Sequence, residues 1–100
     1  MLSKLYLIRT LIDAADEMYR EPRFGLSSSE FEERSTRKWA VNTVIEKVFE
    51  SSNPTYELGR LQRMIRKYQA NTKEKAFIFS ILDDTIDWAT DIINAMKGDQ

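Results

Sequence analysis

The sequence predicts an all-α fold: a single-domain, antiparallel four-helix bundle with helices over about 2–20, 28–50, 54–70 and 72–97 of its 100 residues. Three observations lead there. Apolar residues recur at three- and four-residue spacing almost throughout, and no segment alternates with the two-residue period of a strand. Helix-starting and helix-stopping residues fall between the apolar runs. The chain holds only 3 Gly and 2 Pro and is 31% charged, a composition that suits a folded, charge-rich helical domain better than a disordered one.

The first helix places Leu5, Ile8, Ile12, Ala15 and Tyr19 on one stripe, widened by Leu11 and Met18, with Arg9, Asp13, Asp16 and Arg20 opposite. Pro22 and Gly25 end it, because proline disfavours helical geometry in the residue before it and glycine opens a turn. The second helix begins with Ser27 as N-cap and Glu30 completing a capping box, while Leu26 and Phe31 form a hydrophobic staple. Val41, Val44, Ile45, Val48 and Phe49 give it an apolar face in its second half only.

Ser51-Ser52-Asn53-Pro54 breaks the chain and restarts it, with Asn53 as N-cap and proline at the favoured first position. Leu58, Leu61, Met64, Ile65 and Tyr68 line one face of the third helix, and Gly59 weakens its start. Asn71 ends that helix and caps the next, with Glu74 three residues on and Gly98 as the stop. On the fourth helix Ile78, Leu82, Thr85, Ala89, Ile92 and Met96 form the central stripe. Phe77, Ile81 and Trp88 flank it on one side, and Phe79, Ile86 and Ile93 on the other. Together they cover about 200° of the circumference, roughly twice the arc of an ordinary surface helix. That helix is the bundle centre, or it carries a second buried face that joins two copies into a two-fold homodimer through those flanking rows. The second and fourth helices are the longer pair and should overhang the other two.

Composition narrows the function. Without cysteine there are no disulfides, thiolate metal sites or cysteine nucleophile, and without histidine the commonest general base and transition-metal ligand are missing. No serine or threonine has a base in view, so capping and turn roles are the default. The formal charge of −1 gives no overall attraction to nucleic acid or to an anionic membrane. Met1–Ala15 is interrupted by Lys4, Arg9 and Asp13, so neither a signal peptide nor a membrane span is expected, and the placement expected is cytoplasmic.

Three constellations remain. Asp83, Asp84, Asp87 and Asp91 form an acidic face, and Asp83-Asp84-Thr85-Ile86-Asp87 spells the D-D-x-x-D string of isoprenoid synthases, which are far larger. Glu30-x-x-Glu33 with Asp84-x-x-Asp87 is closer to the E-x-x-E and E-x-x-D motifs of the small all-helical nucleotide pyrophosphohydrolases. In this chain aspartate replaces one glutamate, and the separation is longer than that family's. A carboxylate–metal nucleotide hydrolase is therefore a remote alternative, and a solvated acidic face is the reading preferred.

The second constellation is basic: Arg60, Arg63 and Lys67 with Tyr56 one turn earlier and Arg66 adjacent. Such a stripe could grip phosphates and stack on a base, making nucleic-acid binding the alternative function. Because the following helix is acidic, the preferred reading is pairing of the two helices within the chain. The third constellation is Arg34, Arg37, Lys38 and Trp39, where charge occupies a stripe that is apolar further on. Exposed tryptophan and arginine are enriched at interface hot spots. The favoured expectation is a small non-enzymatic protein, without cofactor, that binds another protein presenting an acidic surface through these four residues. Inhibitors, immunity proteins, adaptors and accessory factors, including phage- and plasmid-borne ones, are of this kind.

Overall fold

The computed structural model describes residues 3–18 and 27–98, and everything described is helix or short connection. Four helices follow in order: α1 (Lys4–Met18), α2 (Ser28–Glu50), α3 (Pro54–Lys67) and α4 (Lys73–Gly98). None is long and apolar enough to cross a membrane. The expected end of the first helix at Pro22 and Gly25, along with Tyr19 and Leu26, lies outside the described residues.

The caps are local and follow from local sequence. The Glu30 amide donates to Ser27 Oγ at 3.2 Å, and the Ser27 hydroxyl donates in turn to Glu30 Oε1 at 3.1 Å. Asn53 Oδ1 accepts from the Tyr56 amide at 3.3 Å, with Pro54 opening α3. The start of α4 differs from expectation: Thr72, not Asn71, supplies the cap, its Oγ1 accepting from the Lys75 amide at 3.1 Å. Helix α3 also stops at Lys67, short of Ala70, where the Tyr68 amide turns back to the Met64 and Ile65 carbonyls.

Chain direction alternates up-down-up-down. At one end Lys4 and Leu7, the Ser52–Thr55 connection, and Ile93 and Lys97 line one cleft, and Lys97 Nζ donates to Thr55 Oγ1 at 2.9 Å. At the other end Glu30 and Glu33 share a cleft with Lys73 and Phe77. Helices α2 and α4 therefore run parallel and pack most extensively on each other, with α1 on one side and α3 on the other. Among the described residues α4 packs closely on all three other helices, whereas the backbones of α1 and α3 stay apart.

This arrangement explains the broad apolar arc of α4. Ile81, Thr85, Ile86, Ala89 and Ile93 are all buried within the single chain, and Thr85 satisfies its hydroxyl on the Ile81 carbonyl at 2.7 Å. The expected self-association surface on α4 is thereby corrected. Ile81, Ile86 and Ile93 belong to the core, Phe79 and Trp88 are half-buried, and only Phe77 of the six stands exposed. Leu82, central in the sequence pattern, is only half-buried, and Ile81 beside it takes the core position.

Helix α1 is turned by roughly 70° from the sequence reading, at 100° per residue. Leu7, Leu11 and Ala15 face the core, while Leu5 is 74% and Ile12 43% exposed. On α2 the buried stripe is Ala40, Val41, Val44 and Val48, with Ile45 at its edge and Phe49 exposed. Ala40 is fully buried on this stripe. On α3, Leu58 is buried and Leu61 and Ile65 pack on the core, but Met64 and Tyr68 are exposed. The Tyr68 ring meets Phe79 of α4 with centroids 4.7 Å apart.

Candidate protein-binding surface

Helical spacing carries the Ala40–Val44–Val48 stripe backwards onto Glu33 and Arg37 rather than onto Lys38. There Arg37 donates from Nε and Nη2 to Glu33 Oε1 at 3.1 and 3.0 Å, one turn away on the same helix. Arg34 and Lys38 are half-buried. The positive patch expected from Arg34, Arg37 and Lys38 is therefore corrected to a charge-balanced one, since Glu30, Glu32 and Glu33 share the same three turns. Trp39 points away from the core and is 49% exposed.

Two shallow clefts border this region. Met18, Arg37, Val41, Asp84, Thr85 and Trp88 enclose about 220 Å³ where the described part of α1 ends. Ala15, Asp16, Lys38, Val41 and Asn42 enclose about 300 Å³ along the α1–α2 seam. The larger opening, about 640 Å³, lies between the first turns of α2 and α4. Sequence reasoning did not connect Asp84 or Trp88 with Arg37; no spacing along one helix reports which residue of another helix sits level with it.

The basic stripe survives in part. Tyr56, Arg60, Arg63 and Lys67 share the outward face of α3, all exposed. Arg60 is clamped by Glu57, with Nη2 at 2.7 Å from Oε1 and Nε at 3.3 Å from Oε2, and its Nη1 lies 3.3 Å from Met64 Sδ. That hydrogen bond holds the Glu57 carboxyl below its ordinary range and raises the Arg60 guanidinium. Arg66 departs from the stripe, turning to α4 to donate from Nε to Asp83 Oδ1 at 3.1 Å. Beside it Gln62 Nε2 donates to Asp87 Oδ1 at 2.7 Å. The two helices thus meet through complementary polar edges, as their opposite charges suggest.

The acidic string does not converge. Asp83 and Asp87 turn toward α3, Asp84 opens on the cleft beside Arg37, and Asp91 is exposed. Among the described residues no three acidic side chains are placed to hold a metal ion. Compared with known proteins, the chain matches no family model, no curated protein and no solved structure.

Proposed function

We propose that the protein acts by binding another protein, with Trp39 as the anchor. The exposure of Trp39 is the observation that supports this reading: a large aromatic presented to solvent from the middle of a long helix, where the backbone is rigid. Tryptophan buries much area at little conformational cost and dominates many interfaces. The mixed charges around it set orientation and on-rate, and their balance leaves the partner's net charge open, in place of the acidic surface first expected. Inhibitors, immunity proteins and adaptors work in this way, and no bond-making step is required of the chain.

The test is quantitative capture of the partner from the native source, followed by titration with purified partner. Trp39→Ala is expected to lose binding while circular dichroism and melting temperature stay nearly unchanged, and Trp39→Phe to retain part of it. Equal affinity of the alanine variant and the parent overturns the reading, as does a large drop in melting temperature. Nucleic-acid binding through α3 is the second reading, favoured by the shared outward face of Tyr56, Arg60, Arg63 and Lys67. It predicts that binding of a single-stranded oligonucleotide falls with salt at a slope of about −2 for three phosphate contacts. Arg63→Ala with Lys67→Ala should then abolish it.

A further inference from the structure

The rotation of α1 leaves an outward stripe that the bundle does not use. Leu5, Arg9, Ile12 and Asp16 follow at i, i+4, i+7 and i+11, and all four are exposed. Leu5 is the most exposed large apolar residue described. The stripe has a firm base. Ile8 behind it and Ile45 across the seam pack on the core, and Lys4 places its ammonium 6.0 Å from the centre of the Phe49 ring. Apolar surface runs across α1 and α2 here, on regular helix rather than on a loop.

The charges on this stripe are ordered in a way that reads the same when reversed with opposite sign. Arg9 lies three residues before Ile12 and Asp16 four after it, about 10 Å apart along the axis. We infer that this face docks on the same face of a second copy of the chain, antiparallel about a two-fold axis beside Ile12. In that register Ile12 packs on its symmetry mate, and each Arg9 comes level with Asp16 of the other copy, so the ion pair forms twice. Parallel pairing sets Arg9 against Arg9 and Asp16 against Asp16. An antiparallel register centred between Leu5 and Ile12 brings the two Arg9 side chains together. Like charges so placed destabilise, so the charge order selects one arrangement.

Other charged groups face the same region. Lys38 lines the α1–α2 cleft with Asp16, and Asp13 lies on the neighbouring row of α1. A carboxylate accepts at both oxygens, so Asp16 can take a donor from Arg9 of the second copy as well as one from its own chain. Trp39 is not among the residues lining this cleft, and the substitutions that test the surface, at Arg9, Ile12 and Asp16, leave Trp39 in place, so the two readings are tested separately.

Sedimentation of the purified chain from low to high micromolar concentration tests it. The mass is expected to rise from 11.7 kDa to twice that value. Ile12→Asp should remain monomeric across the range with unchanged helicity, since the residue contributes little to the core. Arg9→Asp should weaken the dimer by at least about tenfold, because two symmetric pairs become repulsive. The exchange Arg9→Asp with Asp16→Arg should restore it to within about threefold, by remaking the same pairs in reverse. A wild-type chain that stays at 11.7 kDa overturns the inference, as does an Arg9→Asp chain that dimerises undiminished or an exchange that fails to restore.

Discussion

Leu5 and Leu7 offer a controlled measurement of how α1 is turned. Both lie in the first turn of the helix, so truncating either to alanine changes helix propensity by the same small amount. Their surroundings differ: Leu7 is 3% exposed, within the cluster formed with Leu11, Val44, Val48, Leu58, Ile86, Ala89 and Ile93. Leu5 keeps 74% of its surface in solvent. Leu7→Ala loses the transfer free energy of a buried isobutyl group and leaves a cavity, costing about 2–5 kcal/mol. Full burial of a leucine side chain contributes about 1.5–3 kcal/mol, and Leu5 realises only a quarter of it, so Leu5→Ala should cost about 0.5 kcal/mol. At about 4–8 °C per kcal/mol for a domain of this size, the melting temperatures should separate by at least about 6 °C. Urea denaturation followed by circular dichroism gives the free energies, with an unchanged slope showing that the unfolded state is not altered. Low micromolar chain concentration keeps self-association from contributing. The spacing-based stripe, which contains Leu5 and omits Leu7, predicts the opposite order. Equal costs, or a larger cost at Leu5, would refute the rotation and with it the exposed stripe on α1.

Four further outcomes follow from the same contacts. Ile86→Ala, at a fully buried site, should cost about 2–5 kcal/mol and exceed Leu82→Ala in a denaturation series, since Leu82 is only half-buried. Thr72→Ala should lower stability by about 1 kcal/mol and Asn71→Ala by almost nothing, the reverse of what the sequence pattern suggests. Gly59→Ala should stabilise by about 0.5–1 kcal/mol, because the new methyl meets only Arg63 Nη1 at an ordinary 3.5 Å. Glu57, its carboxyl lowered chiefly by the hydrogen bond from Arg60, favours the fold while ionised: its contribution is present above the ordinary carboxylate range and is lost as pH falls through the lowered value. Glu57→Gln should therefore lower stability slightly at neutral pH and leave it unchanged at acid pH, which flattens the acid limb of a stability–pH profile.

Much of the functional surface was legible only as residue types. Tyr56, Arg60, Arg63 and Lys67 do share one exposed face, because intrahelical spacing alone determines which side chains lie together. Arg66 left that group because Asp83 lies opposite on α4, a fact of helix pairing. Trp39 was singled out from its position off the apolar stripe, and its exposure agrees with that. The charge around it was misread, because Glu33 reaches Arg37 by a one-turn contact that the count of bases ignored.

What the sequence by itself determined is what depends on neighbours within a turn or two. That covers four helices, the caps at Ser27 and Asn53, the greater length of α2 and α4, and the central place of α4 implied by its wide apolar arc. Tertiary structure decided the rotation of each helix. Helix α1 carries Leu5, Tyr6, Leu7, Ile8, Leu11 and Ile12 around most of its circumference, so several faces are nearly equal in hydrophobicity and periodicity cannot rank them. Packing against Val44, Val48, Ile86 and Ile93 selects Leu7 and Leu11, because only that rotation fills the space between α2 and α4. The choice turns Leu5, Arg9, Ile12 and Asp16 to solvent as an ordered stripe. Core packing, through the side it leaves out, thus sets which surface a partner can meet.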